Sequence, residues 1–230
     1  MRPSLVLTSL AVAALTPVAT ADILFSDTEF PTAGWGVESV LIGGGGSATN
    51  SQVLSGGNPG AFRRVDMTPG PTVGDAIYTL HRYGVTTATR YDPSTQGAIL
   101  SLDFSIDVRD VVAAGAATNQ KVFFGAKQGT VVFAGPGVQQ SQTAHFVPLS
   151  FTNITAASFT AVGTTGSIDL SAAGAPIRFG FITYVANTSG SFLGRSEYDN
   201  FSVTIHQAPA PGSLALAGVA GVLVSRRRRR

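Results

Sequence analysis

Two aspartates, Asp103 and Asp107, are the carboxylates best arranged for acid–base chemistry on a glycan. They share the polar side of an alternating segment, four residues apart, which corresponds to about 13 Å in an extended strand. Glycoside hydrolysis needs two carboxyl groups about 5.5 Å apart for retention, or up to about 9.5 Å apart for inversion. The pair is too widely spaced, so we predict no catalytic residues and no enzymatic activity. A degenerate glycoside hydrolase is kept as a third functional hypothesis, after the two that are given at the end of this section.

The histidines and the absence of cysteine further limit the catalytic and metal-binding chemistry that the chain could have. His81, His145 and His206 fall in separate predicted strands, and the chain has no H-E-x-x-H or G-x-S-x-G motif. Because the chain has no cysteine, it has no disulfide, no thiolate nucleophile and no Cys-ligated zinc. We therefore predict neither a metal centre nor a cofactor.

A structural calcium ion is the one alternative to that prediction. Asp27 and Glu29 lie near the start of the globular region, and Glu197 and Asp199 lie near its end. The terminal strands of a β-sandwich are often neighbours, and calcium binds several oxygen ligands in a small space. The four carboxylates could therefore meet, although no D-x-D-x-D-G loop is present. A solvated polar rim is the competing interpretation.

Aromatic side chains supply the remaining chemistry, because an exposed ring can stack on a sugar. Trp35 lies between two glycines that could present it on a loop, but a single tryptophan is also typical of a sandwich core. Both interpretations stay open at this point. The side chains that we consider for glycan contact are Trp35, Tyr83, Tyr91 and Tyr184.

Alternation of apolar and polar residues predicts the strands that position these groups. Residues 100–109 alternate strictly over ten positions, and residues 201–206 repeat the pattern. Both are typical of half-buried antiparallel strands. Residues 122–126 and most of 177–185 are apolar on both faces, which predicts central strands.

Proline and glycine mark the edges and turns of the predicted sheets. Pro148 interrupts the alternating segment 147–151 and predicts an edge strand or a bulge. The segments 56–60 and 135–137 are rich in glycine and proline and predict turns. About a dozen short strands at this spacing predict an all-β fold, a two-sheet antiparallel β-sandwich with jelly-roll topology.

Three segments of this body are similar to exported jelly-roll domains of the concanavalin-A-like and galactose-binding-like kind. They are the early pair Phe30 and Trp35, the turn 56–60, and the closing strand 197–205 with its Asp-Asn step. The resemblance implies a β-sandwich that binds glycans, and in some members a structural calcium ion.

The N-terminus has the three parts of a secretory signal peptide. Arg2 gives a short positive region, residues 5–15 form an apolar run, and Ala19 and Ala21 form an A-x-A cleavage site. We predict export through the Sec translocon and cleavage by signal peptidase after Ala21, so that the mature chain begins at Asp22. A buried N-terminal helix is the alternative.

The C-terminus has a proline break, an apolar segment and a cluster of cations. A helix over 213–225 would be about 20 Å long, which is short of the roughly 30 Å hydrocarbon core. The positive-inside rule predicts a cytoplasmic position for the cations. These are Arg226, Arg227, Arg228, Arg229 and Arg230.

This order of features resembles the PEP-CTERM sorting tail of Gram-negative bacteria. The proline motif is Pro209, Ala210 and Pro211, with Ala210 where the family has glutamate. The resemblance implies transient anchoring in the inner membrane, cleavage by an exosortase-like membrane protease, and release to the cell envelope, outer surface or extracellular space. A nonspecific tail anchor is the alternative.

The basic charge of the chain belongs to its ends. Of 15 Lys and Arg residues, six are Arg2 and the five terminal arginines. The predicted domains are a signal peptide over 1–21, a β-sandwich over 22–207 and a sorting tail over 208–230. The sandwich has nine basic against 13 acidic residues, a net charge of about −4, which excludes nucleic acid as the expected partner.

The first functional hypothesis is an exported, non-enzymatic cell-surface or extracellular-matrix protein that is associated with exopolysaccharide. The second is a discrete carbohydrate-binding, lectin-like module. Two or more exposed aromatic rings on one sheet face or loop rim would favour the second hypothesis.

Overall fold

The computed structural model describes residues 22–84, 89–111, 119–141, 143–188 and 193–208. The predicted signal helix, the cleavage-site residues Ala19 and Ala21, and the tail from Pro209 to Arg230 lie outside these residues. Within the described residues, no helix is long and apolar enough to cross a membrane.

Twelve strands and one short α-helix make up the described fold. The helix, α1, is Pro93–Gln96, and it begins where the Asp92 side chain accepts a hydrogen bond from the Ser94 backbone. The strands are β1 Ile23–Asp27, β2 Trp35–Ile42, β3 Gly46–Gly57, β4 Gly60–Pro69, β5 Ala76–Tyr83, β6 Ile99–Asp110, β7 Gln120–Gln128, β8 Val131–Gln139, β9 Val147–Ile154, β10 Thr160–Ala161, β11 Ile177–Ala186 and β12 Gly194–Gln207.

The strands form two antiparallel sheets packed as a β-sandwich. The first sheet has the order β3-β4-β12-β6-β9, with β1 also paired to β12, and the second has the order β10-β8-β7-β11-β5-β2. Successive strands repeatedly change sheets, as in β4 to β5 and β11 to β12. This crossing between sheets is the jelly-roll arrangement, and it confirms the predicted fold class.

Alternation buries one side of each sheet in a shared core. On β6, Leu102, Phe104 and Ile106 are at most 1% exposed, whereas Leu100 is 64% exposed and does not join the core. On β12, the inward residues include Phe201 and Val203, both fully buried. Phe104 stacks on Phe124 of the opposite sheet with centroids 4.9 Å apart. Aromatic rings therefore connect the two sheets within the core.

The predicted positions of strands in the sheets are mostly confirmed. Strands β7 and β11 are central in the second sheet, and β9, which contains Pro148, is an edge strand of the first sheet. The segment 56–60 turns between β3 and β4, with a cis peptide bond between Asn58 and Pro59. The turn predicted at 135–137 is wrong: these residues continue β8, where the pairing with β7 shifts register.

Candidate functional site

The second sheet has one face that points away from the core, and we call it the outer face. Inward residues of β5 and β11, such as Ile77 and Phe181, belong to the sandwich core. Their neighbours therefore point outward. In register across β5 and β11, Tyr78 lies opposite Tyr184, and Leu80 lies opposite Ile182.

One end of the outer face holds three aromatic rings and a lysine, which we call the aromatic patch: Tyr78, Phe123, Tyr184 and Lys121. The Tyr78 and Tyr184 ring centroids are 4.6 Å apart, and Phe123 lies 6.3 Å from Tyr78 and 6.4 Å from Tyr184. Lys121 Nζ is 5.7 Å from the Tyr184 centroid. All four side chains are partly exposed, so the rings form one surface that solvent reaches.

Both tyrosines of the patch remain neutral hydrogen-bond donors at ordinary pH. Burial raises the pKa of Tyr78, and the neighbouring Tyr184 raises it further. Burial also raises the pKa of Tyr184. The patch therefore combines apolar ring faces with two phenolic O–H groups and one ammonium group, all of which donate to oxygen.

The backbone of β8 makes room for the third ring. A methyl group added at Gly137 would lie 2.2 Å from Cδ1 of Phe123, so glycine is required where the phenylalanine ring crosses β8. This explains why a glycine-rich segment sits inside a strand. The register shift between Phe123 and Gly125 is at the same place.

The middle of the outer face is covered by the chain itself. Val162 donates its backbone N–H to the Val132 carbonyl on β8 at 2.9 Å. At Gly163, an added methyl group would lie 2.7 Å from Val40 on β2, a strand separated from β8 by three others. The sheet therefore curls around this face, and Val162 and Gly163, which we call the strap, close over Leu80 and Ile182.

The structure separates the four aromatic residues proposed from sequence. Trp35 is 4% exposed, stacks on Phe30 and donates its Nε1–H to Asp27 at 2.8 Å. Tyr91 is fully buried, and Tyr83 packs against the core. Burial leaves Trp35 and Tyr91 no ring surface for a sugar. Only Tyr184 lies on the outer face.

Asp103 and Asp107, the carboxylate pair considered from sequence, each form hydrogen bonds with other residues. Asp103 accepts a hydrogen bond from the Asn153 backbone at 2.8 Å and contacts His206 at 3.1 Å. Asp107 instead accepts from the side-chain amides of Asn58 and Asn200, at 2.9 and 2.8 Å. The two carboxylates are bound separately and do not face each other as an acid and a base.

Asp107 has a closer carboxylate neighbour that the sequence pattern did not reveal. It pairs with Asp199 across β6 and β12. Asp199 is fully buried, and it accepts hydrogen bonds from the backbone N–H groups of Asn58 and Asn200. Burial raises the pKa of Asp199. The 56–60 turn and the Asp-Asn step of the last strand thus form one structural cluster.

Three of the four carboxylates considered for calcium are bound by other protein groups. Asp27 accepts from Trp35 and from two backbone N–H groups, and Glu197 binds Arg64 and Arg109. Asp199 is held by the Asn58 turn. The described residues contain no group of three or more side chains arranged to hold a metal ion.

The three histidines lie in different environments. His81 is fully buried, stacks on Phe181 and accepts a hydrogen bond from Arg63 at 3.1 Å. Burial keeps its pKa well below the ordinary value, and the charge of Arg63 acts in the same direction. His145 is exposed, and His206 lies between Asp22 and Asp103. They share no site.

The sequence matches no protein-family model and no curated protein sequence. Some solved structures are similar in shape. The family 11 carbohydrate-binding module of the cellulosomal cellulase Lic26A-Cel5E of Clostridium thermocellum is 16% identical, with a TM-score of 0.49, over 83% of this chain and 97% of that module. The CBM22-1 xylan-binding domain from Paenibacillus barcinonensis Xyn10C is 12% identical, with a TM-score of 0.43, over 83% of this chain and 99% of that domain. Both TM-scores are below 0.5.

Proposed function

We propose that the β-sandwich is a carbohydrate-binding module that holds a polysaccharide on the aromatic patch. The observation that carries the proposal is the placement of Tyr78, Phe123, Tyr184 and Lys121 together on one partly exposed sheet face. Sugar rings have an apolar C–H face that packs on aromatic carbon, and hydroxyl groups that accept from phenol and ammonium donors.

The patch suits binding better than catalysis. Its donors are two phenols whose pKa is raised and a lysine, and it contains no carboxylate. A glycosidase of the usual kind needs two carboxyl groups at the scissile bond. The proposal is therefore a binding module, and the hydrolase hypothesis has no acid–base pair to support it at this face.

A panel of soluble polysaccharides tests the proposal by affinity electrophoresis. A sugar that covers about 60 Å² of one tyrosine ring contributes about 1.5 kcal/mol at 25 cal/mol/Å², or about tenfold in affinity. We expect Tyr184→Ala and Tyr78→Ala each to weaken binding by about that factor. Tyr78→Phe, which removes only the hydroxyl group, should weaken binding less.

Leu54→Ala is the matched control, because Leu54 is 77% exposed on β3 of the other sheet. It removes an exposed apolar side chain and leaves the patch intact, so its affinity should equal that of the wild type. If no polysaccharide in the panel is retarded by the wild type, or if Leu54→Ala weakens binding as much as Tyr184→Ala, the proposal is wrong.

We infer further that the module acts outside the cytoplasm, as an exported surface or matrix protein. The sequences of the N-terminal leader and the C-terminal tail support this inference. The fold is compatible with cleavage after Ala21 and with cleavage near Pro211. Strand β1 begins at Ile23, just after the expected new N-terminus Asp22, and β12 ends at Gln207, before Pro209. Asp22 also contacts His206 at 2.9 Å. Removal of both ends would leave all twelve strands in place.

Intact-mass measurement of surface-released protein tests this inference. The expected mass corresponds to a chain that starts at Asp22 and lacks everything beyond about Pro211. Released protein that retains Arg230 would contradict cleavage by an exosortase-like protease, and a retained Met1 would contradict export through a cleaved leader.

A further inference from the structure

The end of the outer face opposite the aromatic patch holds an unusual concentration of positive charge. Arg82, Arg90, Lys127 and Arg178 line one cavity of about 290 Å³, together with Gly129, Ala175 and Pro176. The sandwich has nine basic residues in total, so nearly half of them border this one cavity, although the sandwich as a whole is acidic.

The cations of this basic pocket differ in their partners. Lys127 forms an ion pair with Glu38, which reaches it from β2. Arg82 and Arg90 have no carboxylate within 4 Å among the described residues. Burial lowers the pKa of Arg178, and the positive charges of Arg82 and Arg90 lower it further. The pocket therefore keeps an excess of guanidinium charge.

The backbone is shaped to hold these guanidinium groups in place. A methyl group added at Gly36 would lie 2.9 Å from a terminal nitrogen of Arg82, so glycine lets Arg82 lie flat across β2. Arg178 donates from its terminal nitrogen to the Gly84 carbonyl at 2.9 Å. The Nε atom of Arg82 is buried and has no hydrogen-bond acceptor in the described part of the chain. Fixed guanidinium groups suit planar two-oxygen anions.

We propose that this basic pocket binds the anionic group of an acidic polysaccharide, a carboxylate of a uronic acid or a sulfate ester. The choice of polysaccharide as the source of the anion rests on the proposed function. Mutual repulsion of clustered guanidinium groups is relieved when an anion with two or more oxygens lies between them, and bidentate contacts fix its orientation.

The pocket and the aromatic patch lie on the same face, which a polymer can follow. On β5, Tyr78 and Arg82 are four residues apart on the outward side, or about 13 Å. The strap, which covers Leu80, lies between the two regions along β5. A polysaccharide would thus be stacked at one end of the face and held by charge at the other, over a chain segment that already covers the apolar centre.

The experiment compares acidic polysaccharides with neutral counterparts on the full-length protein, by calorimetry or affinity electrophoresis. Polygalacturonate is paired with its methyl ester, and dextran sulfate with dextran, so that the two arms separate carboxylate from sulfate. The Arg82→Gln/Arg90→Gln double variant should bind the preferred acidic polymer at least tenfold more weakly, since each charged hydrogen bond contributes about tenfold. Its affinity for a neutral polymer should not change.

Arg195→Gln is the matched control, because Arg195 is a partly exposed arginine on the first sheet, paired with Asp66 at 2.6 Å. It should leave the affinity for the acidic polymer unchanged. The single variant Arg90→Glu, at an exposed position, reverses one charge without disturbing β5. It keeps the test valid if the double variant folds poorly. Wild-type affinity for the acidic polymer should also fall with added salt.

The outcomes separate this inference from the proposed function. Binding of neutral polymers through Tyr78 and Tyr184 with no gain from carboxylate or sulfate would overturn the basic pocket and leave the module intact. Equal affinity of wild type and Arg90→Glu for the acidic polymer would also overturn it. Binding of free sulfate or galacturonate without binding of any polymer would overturn both proposals.

Discussion

Substitution of Asp110 by asparagine should make the protein more stable at neutral pH. Asp110 is 2% exposed at the end of β6. Its Oδ1 accepts from Ser196 Oγ at 3.2 Å, and its Oδ2 has no hydrogen-bond partner among the described residues. Burial raises the pKa of Asp110 to about 6, because a half-satisfied carboxylate is costly to ionise away from water.

The size of the effect follows from the difference between folded and unfolded states. The ordinary pKa of aspartate is 3.8, so the folded protein binds this proton more tightly by about 2 pH units, or about 3 kcal/mol at most. Since the folded state holds more protons than the unfolded state between pH 3.8 and 6, stability falls as pH rises through that range and is then constant. Asparagine does not ionise and should abolish this loss.

Urea unfolding of the wild type and of Asp110→Asn at pH 3.5 to 8 measures the effect. The difference in unfolding free energy should be small at pH 3.5, grow between about pH 4 and 6, and reach up to about 3 kcal/mol in favour of the variant. Leu54→Ala, which removes a 77% exposed side chain that does not ionise, is the control and should depend on pH as the wild type does. A constant difference between wild type and Asp110→Asn at every pH would refute the reasoning.

Two further side-chain clusters give predictions on other parts of the first sheet. Glu197→Gln should lower the unfolding free energy by about 2–3 kcal/mol in urea, because Glu197 is 2% exposed and binds both Arg64 and Arg109; an unchanged midpoint would contradict a role for this buried pair. The pKa of His206 is raised chiefly by its hydrogen bond to Asp103. An NMR titration should therefore give a value above 6.5 that falls in Asp103→Asn; an equal pKa in both proteins would disprove the contact.

Much of the fold could be predicted because a strand that is buried on one side alternates apolar and polar residues. Strands β6 and β12 each bury one side, so their apolar residues recur at every second position. Strand β3 cannot be predicted in this way. Gly46–Gly57 is an edge strand made mainly of Gly, Ser, Thr and Asn, and most of it is exposed. Without a buried side it leaves no alternating pattern to detect.

The candidate site was harder to predict, because a register must be known before residues from different strands can be grouped. Tyr184 could be named from its sequence, but its neighbours Tyr78 and Phe123 come from β5 and β7. Phe123 lies in the segment 122–126, which is apolar on both faces, and this pattern predicted burial. The single tryptophan drew attention for its residue type, although its Nε1–H is bonded to Asp27 inside the fold.

The outward side chains of the central strands β5 and β11 are buried at some positions and partly exposed at others. Leu80 and Ile182 face outward and are fully buried, because the strap covers them. Tyr78 and Tyr184 lie on the same strands at the next outward position and remain partly exposed. An uncovered leucine would expose only hydrocarbon to solvent. A tyrosine also has a polar O–H group that forms hydrogen bonds with water, so its exposure is less unfavourable. An outward tyrosine on a central strand is therefore the sequence signal that distinguishes the exposed part of this face from the covered part.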